Sequence, residues 1–487
     1  MTNNIPDMMS GMVLSPLKPE LFLAGVGLLL LLLGAFRGNA SLNFILSAVV
    51  ASFVVAIGFT LQSDWSPIDT LGGMVLMDGF AGWMKVLVLS GLSASLLLSV
   101  SWLRENSLLR FEYPLLVLFS GIGMMLMLSA NNFLALYVSL ELSSLCLYVL
   151  AAIRRDDVLS SEAGVKYFVL GALSSGLLLF GISLVYGFTG TTSYALVAQT
   201  LGSAEEIPLG AIVGMVFILA GLAFKISAVP FHMWTPDVYQ GAPTPVTALF
   251  AIVPKVAAFG LIIRLLFGPF EALGPEWTQI ISFMAVASMV WGGFAGVAQT
   301  NFKRLLAYSS IANMGYALIG LLPGVPEGVG AVILYLTIYM VMTAGVFAVL
   351  MGLRRNGQSL ETISDFAGLS QTSPFYAYIL AALMFSMSGI PPLAGFFSKL
   401  FVFQAAVAGG YIAVAVIGVL ASVVASYYYL RVVKVMFFDE PVLPLEKTCS
   451  WSRKIVAAAS LAFILLFTLM PNALFDRAQA AAASLFQ

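Results

Sequence analysis

The sequence predicts an all-α integral membrane protein with about fourteen membrane-spanning helices, and three observations predict it. The 487 residues are 60% apolar and only 9% charged, whereas a soluble protein carries about 25% charge to keep its surface wet. The apolar residues fall into runs long enough to cross a hydrocarbon layer of about 30 Å, which takes ~20 residues of helix. Lys and Arg gather in alternate loops, as the positive-inside rule requires of a multi-pass chain. A soluble multidomain enzyme is thereby excluded. So is a nucleic-acid binder, which needs a basic stripe, because 22 Lys+Arg are matched by 23 Asp+Glu.

The spans follow in order. Spans 1 to 3 fall at residues 20–36, 41–62 and 79–102. The polar, acidic segment up to Lys18 has no basic n-region and is not read as a cleaved signal peptide. Spans 4 and 5, at 113–130 and 131–153, meet at Asn131-Asn132, a polar pair between two apolar runs. Spans 6 to 8 are 163–189, 208–231 and 240–268; spans 9 to 11 are 277–299, 303–323 and 328–353. Span 12, at 373–410, is too long for one straight helix and contains Gly389-Ile390-Pro391-Pro392. Spans 13 and 14 are 411–438 and 453–472. The chain thus divides into an N-terminal region of three spans (residues 1–112), five-helix units at 113–268 and 269–438, and a C-terminal helix within 439–487.

Loop charge tests the alternation. Fifteen Lys and Arg, from Arg37 to Lys454, fall in loops on one side; Lys18, Arg264 and Arg477 fall on the other, with both chain ends. The bias supports fourteen helices with both chain ends outside, on the face opposite the positive loops. Four lysines remain, and Lys85, Lys225, Lys255 and Lys399 all lie within apolar runs, as does Glu141 midway along span 5. Each such group costs at least about 2.5–3.5 kcal/mol to insert, so it needs a reason. Lys85 is near the outer surface and is expected to snorkel. Lys166 opens span 6 behind Glu162, a pairing that steadies a helix end. Lys225, Lys255 and Lys399 cannot easily reach an interface. A buried amine loses hydration, which moves its pKa from about 10.4 toward neutrality and lets it exchange a proton. If Glu141 faces Lys225, the two titrate as a pair. A static buried ion pair, or a link to a neighbouring subunit, is the competing reading.

Helix interruptions coincide with these lysines. Pro230, in Phe224-Lys225-Ile226-Ser227-Ala228-Val229-Pro230-Phe231-His232, removes a backbone donor and breaks span 7. Pro391 breaks span 12 ahead of Lys399, 161 positions after Pro230. Shifting spans 4–8 by about 160 lands near spans 9–13, and five helices per unit makes the two copies inverted. Paired broken spans of this kind point to a central ion site. Lys225 precedes its break while Lys399 follows its own, so the lysines do not superpose. His232, seven residues after Lys225, is either a proton relay or a cap on the broken helix. Asp237 is expected to hold its turn through backbone amides, and the Tyr427-Tyr428-Tyr429 run to pack or to form an interface belt. Cys146 and Cys449 have no partner spacing, and a lone histidine excludes a bis-histidine haem; no metal or cofactor is read in this chain.

Residues Phe224 to Val246, FKISAVPFHMWTPDVYQGAPTPV, resemble the signature of subunit N of bacterial proton-translocating NADH:quinone oxidoreductase (respiratory complex I), one of its antiporter-like membrane subunits. LYVSLELSSLCLYVLAAIRR around Glu141, EAGVKYFVLGALSSG at Lys166, QTNFKRLLAYSSIANMGY and GIPPLAGFFSKLFVF resemble the same family. The resemblance implies a proton channel of ten core helices in two inverted repeats, spans 4–8 and 9–13, with spans 7 and 12 discontinuous. It implies Glu141 paired with Lys225, a central Lys255, Lys399 on the broken span 12, and Lys166 and His232 on the same hydrophilic axis. Protons would enter near Lys225 and Glu141, pass Lys255 and leave by Lys399, making the chain a translocase subunit without a redox centre. NADH, FMN, iron–sulfur clusters and quinone are then expected in partner subunits. The partners implied are the antiporter-like subunit M, small membrane subunits, the lateral helix of subunit L, and lipid. Two rivals stand beside this reading: a subunit of a sodium/proton antiporter of the same fold, and a non-conducting spacer.

Overall fold

The computed structural model describes residues 14–355, 357–441, 446–447 and 450–486. Residues 1–13, most of the polar leader, and Cys449 lie outside them. Helices α1 (Lys18–Arg37) and α2 (Leu42–Gln62) are separated by a turn at Gly38, whose φ of 58° ends the first helix. A hairpin of β1 (Ile68–Thr70) and β2 (Val75–Met77) follows, turning through Leu71, Gly72 and Gly73 at positive φ. Helix α3 (Gly79–Glu105) starts at Asp78, whose carboxylate accepts the Ala81 amide. Helices α4 (Glu112–Leu128) and α5 (Phe133–Ala151) divide at the boundary the sequence predicts, because the Asn132 side chain caps α5 by accepting the Leu134 amide. The long α6 (Val158–Thr189) leads to a short, unexpected α7 (Tyr194–Gly202).

Span 7 is two helices, α8 (Leu209–Ile226) and α9 (Trp234–Gly241). Span 8 is also divided, into α10 (Thr244–Ile252) and α11 (Pro254–Leu266), a break that apolar-run counting does not foresee. Its cause is Pro254, which has no amide to donate. Helices α12 (Gly274–Val297), α13 (Phe302–Ile319) and α14 (Pro326–Met351) come next. Strands β3 (Leu353–Arg355), β4 (Gln358–Ser359) and β5 (Glu446–Lys447) form a small sheet with β3 central. After the one-turn α15 (Leu369–Thr372), span 12 appears as α16 (Pro374–Ser388) and α17 (Ala394–Ala408). Helix α18 (Ile412–Phe438) precedes α19 (Trp451–Leu466) and α20 (Pro471–Ala483), which bend by 93° at Pro471.

Among the described residues nine helical stretches are long and apolar enough to cross a membrane, or ten with the bent α19–α20 pair; α1 and α2 count there as one stretch. Helices α4, α16 and α17 are apolar but shorter. The molecule is therefore an all-helical membrane protein with a few two- or three-residue strands at helix ends. Burial orders its helices. The most apolar windows of α10–α11 and of α14 are 94% buried, against 39% for α6 and 33% for α18. The first two are core helices, and the others turn Val, Leu and Phe outward. Lipid tails supply no hydrophobic drive between helices, so close packing must hold them. At the α6–α8 crossing a Cβ on Gly181 would lie 2.5 Å from the Gly214 carbonyl oxygen, so only glycine lets the backbones touch there.

Residues from the loops between spans 3 and 4, 5 and 6, 7 and 8, 9 and 10, and 11 and 12 converge on one cavity. Those from loops 2–3, 4–5, 6–7 and 8–9 gather with Ser484 around another.

Candidate functional site

The first break brings a lysine to the end of a half-helix. Ser227, at the C-terminus of α8, takes a left-handed conformation (φ 63°) and ends the helix. Lys255 sits in the first turn of α11, just beyond Pro254, with 1% of its surface exposed. Its Nζ donates to the Ile226 carbonyl at 3.2 Å and to Ser227 Oγ at 2.8 Å. An ammonium thus meets the negative end of a half-helix, where a cation is favoured.

The second break repeats the device. Helix α16 ends at Ser388 with Gly389 at φ 89°. Lys399, 6% exposed on α17, donates to the Ser388 carbonyl at 3.0 Å and to Ser422 Oγ of α18 at 2.8 Å. Its Nζ lies 4.9 Å from the centre of the Tyr316 ring, within cation–π reach. The capped carbonyls, Ile226 and Ser388, are 162 positions apart. That is one more than the Pro230-to-Pro391 spacing. The lysine that meets the broken helix end is Lys255 at the first break and Lys399 at the second; Lys225 meets neither.

Lys225 and Glu141 are not paired here: among the described residues no ion pair joins them within 4.0 Å. Lys225 Nζ donates to Ser144 Oγ at 2.7 Å and to Tyr148 Oη at 3.1 Å, with the Tyr148 ring centre 5.4 Å away. The Glu141 carboxylate accepts the Ser175 hydroxyl of α6. The lysine reaches α5 one and two turns beyond the glutamate, which separates the charges while leaving both on the same helix face. Both side chains are half-buried.

His232 lies between α8 and α9. The helix does not continue through the break, so His232 does not share a helix face with Lys225. Its ring meets Trp291 edge-on at 5.8 Å, and its buried Nδ1 makes no hydrogen bond among the described residues. Lys166 pairs with Glu162 at 2.7 Å, as its spacing suggests, and also with Asp237 at 2.6 Å. Asp237 further holds Arg304 at 2.7 Å. It therefore bridges α6, α9 and α13 by charge and is not the turn-holding residue the sequence suggests.

Three polar features escape or mislead the sequence reading. Lys85 does not snorkel: it is fully buried and ion-paired at 2.6 Å with Glu20, the residue that opens span 1. Arg264 is not a loop charge: at 5% exposure it makes two 2.9 Å bonds to Asp78 and one to the Leu128 carbonyl. Its position inside the apolar run 240–268 was the available signal. Tyr428 and Tyr429 are buried, and only Tyr427 faces outward. Tyr429 Oη meets Ser309 Oγ at 2.6 Å, and Tyr335 Oη donates to Asn313 Oδ1 at 2.6 Å, beginning a hydroxyl-rich network that apolar-run counting could not detect.

Relatives place the chain. Residues 130–425, more than half of it, match the family described as NADH:quinone oxidoreductase/Mrp antiporter, transmembrane. It is 51% identical over 479 residues to NADH-quinone oxidoreductase subunit N of Rhodospirillum rubrum, covering 97% of this chain and 98% of that one. The chain belongs to the subunit N family of NADH-quinone oxidoreductase. Subunit N 1 of Rhizobium meliloti is similar at 52% identity over 469 residues, 96% of this chain and 97% of the relative. A chain of respiratory complex I from Thermus thermophilus is similar in structure, with a TM-score of 0.80, 32% identity, and 94% and 98% of the two chains covered. A chain of the Mrp complex from a Dietzia species shares the fold at a TM-score of 0.87 and 23% identity, over 98% of each chain. The subunit N family is therefore built on an antiporter-like membrane fold.

Proposed function

We propose that this chain moves protons across a bacterial inner membrane as a membrane-arm subunit of NADH:quinone oxidoreductase, driven by quinone reduction in other subunits. The observation that carries the reading is the pair of buried lysines, Lys255 and Lys399, each donating to a carbonyl at the broken end of a spanning helix. Ionisable groups at such depth mark ion routes, and paired helix breaks mark the centre of a carrier. Family membership, at about half identity over nearly the whole chain, agrees with it.

In this reading the chain makes fourteen crossings, with inverted units at 113–268 and 269–438 and both termini on the periplasmic side. Protons enter from the side of the positive loops near Glu141, Lys225 and Lys166. They pass Lys255 and the hydroxyl-rich interior and leave by Lys399, with His232 as a relay at the first break. Lys225 rests on Ser144 and Tyr148, away from Glu141. Movement of α5 or α8 that brings the charges together would hold the proton on the lysine, and separating them would release it. This chain acts as a translocase subunit; NADH, FMN, iron–sulfur and quinone chemistry belongs to partner subunits. Its membrane partners are subunit M, the small subunits and the lateral helix of subunit L.

The test is proton transfer per electron pair in proteoliposomes of the assembled complex carrying Lys225→Ala or Lys399→Ala. The expected result is a clear fall in both. Unchanged stoichiometry in both variants sides with a passive spacer. A chain that never copurifies with redox subunits sides with a free-standing cation/proton antiporter.

A further inference from the structure

The half-helix that carries Lys399 is gripped from behind. Helix α17 begins just after Pro391-Pro392, and a proline has no amide to donate. The Ser388 carbonyl, which an amide at position 392 would meet in a continuous helix, is left to the Lys399 ammonium at 3.0 Å. The Pro392 carbonyl is not served by α17, because the Phe396 amide that could return to it bonds Leu393 instead. It accepts the Thr468 hydroxyl at 2.6 Å. Thr468 lies in the turn between α19 and α20, which the Leu469 and Met470 amides close onto Leu466 at 2.9 Å and Phe467 at 3.2 Å. A helical threonine has a nearer partner, the carbonyl four residues back, and Thr60 and Thr337 take it in this chain at 2.8 Å. Thr468 instead reaches across 76 positions to span 12. Two ring pairs flank this contact: Phe397 meets Phe467 at 6.0 Å, and Phe401 meets Phe475 of α20 at 4.7 Å. Phe397 and Phe401 stand two residues before and two after Lys399. At about 100° per residue they share the helix face opposite the ammonium.

Resting on the proton-transport reading, we propose that the α19–α20 corner is a clamp on the half-helix that carries Lys399, with Thr468 as its positioning residue at the second break. The case rests on leverage. Lys399 meets the Ser388 carbonyl only while α17 keeps its angle to α16, and the two are joined by the short segment 389–393. Gly389, at φ 89°, gives that segment a pivot. A hydrogen bond at its far end and two ring pairs beyond it oppose rotation about the pivot. A carbonyl within a spanning segment has no bulk water to replace a lost donor, so removing the hydroxyl leaves a costly group that tilting α17 relieves. The first break is held differently, by the Val229 amide donating to Ser288 Oγ of α12 at 2.9 Å. The corner therefore bears on the second break.

The experiment uses the assembled complex in proteoliposomes, compared at equal amounts of assembled complex. Thr468→Val, which keeps the shape and removes the hydroxyl, is expected to slow proton translocation about fivefold, equivalent to ~1 kcal/mol on the barrier. Thr468→Ser, which keeps the hydroxyl, is expected to restore it. Thr200→Val, whose lost hydroxyl serves the Leu196 carbonyl of its own helix, is expected to leave the rate unchanged. In a Lys399→Ala chain, adding Thr468→Val is expected to cause no further fall, because Thr468 acts through the lysine. Normal translocation in Thr468→Val beside a defective Lys399→Ala overturns the clamp and spares the transport reading. A further fall in the double variant, no rescue by Thr468→Ser, or loss of assembly in Thr468→Val makes the contact structural and overturns the positioning role. Normal translocation in Lys399→Ala alone also overturns the clamp; in Lys399→Ala and Lys225→Ala together it overturns the transport reading.

Discussion

The polar residues of the loops and the interior obey the same rule of partnership. Asp365, between α14 and α15, accepts the amides of Glu361 at 3.1 Å and Thr362 at 2.8 Å and pairs with Arg355 at 2.9 Å. Burial alone would raise its pKa, but the Thr362 and Glu361 amides and the Arg355 guanidinium outweigh that and hold it below the usual carboxylate value. A depressed folded pKa stabilises above the unfolded value, about 3.9, and the contribution is lost as pH falls through the folded value. Exchange of the Glu361 and Thr362 amides should therefore stay slow from neutral pH down to about 4 and accelerate below it. Equal protection above and below that range, read by hydrogen exchange, would contradict the assignment. Buried charges were legible in the sequence as charges but not as pairs. Lys225, Lys255 and Lys399 stood out because each interrupts an apolar run. Glu20, Asp78 and Arg264 stand near run ends, where a charge normally meets water, and only tertiary contact shows that they do not.

At the scale of elements, two of the buried lysines meet helix ends, and proline marks only some of these ends in advance. Pro230 and the Pro391-Pro392 pair announced two breaks, whereas Pro254 was absorbed into a long apolar run. The carbonyls that the lysines cap depend on backbone that leaves the helix with positive φ. Gly389 has φ 89°, and a Cβ there would come 3.1 Å from Lys399 Cδ. Gly389→Ala should therefore cost about 1–2 kcal/mol of local strain and displace the ammonium from Ser388. The expected outcome is a complex that assembles but translocates fewer protons, whereas Gly410→Ala, with open space around its Cβ, leaves translocation unchanged. Equal loss in both variants, measured in proteoliposomes, would mean that strain anywhere in span 12 is enough. The short strands and α7 were not legible, since two or three residues carry no periodicity and α7 is only nine residues long.

Across the whole molecule, charge pairs join the core to its flanks. The Arg264–Asp78 pair ties α11 to the start of α3 on one side, and Glu105 ties α3 to Arg354 and Arg453 on the other. Arg264→Met alone leaves Asp78 buried without its cation and should lower stability by about 3–5 kcal/mol. Arg264→Met with Asp78→Leu should recover most of that loss. Thermal unfolding of the solubilised complex measures both, and a double variant no more stable than the single one refutes the pair. The all-helical membrane class was readable because apolar length is summed over many residues. The inter-span contacts were not, because each depends on one side chain. One of those contacts gives the molecule a direction. Lys255 hangs from a different span than the carbonyl it caps, so sliding span 8 against span 7 unlatches it. Lys399 hangs from the same broken span as its carbonyl, so bending within span 12 is what parts those two groups. The two breaks are thus held by unlike latches, one across spans and one within a span, so a shift of span 8 against span 7 strains the first and spares the second.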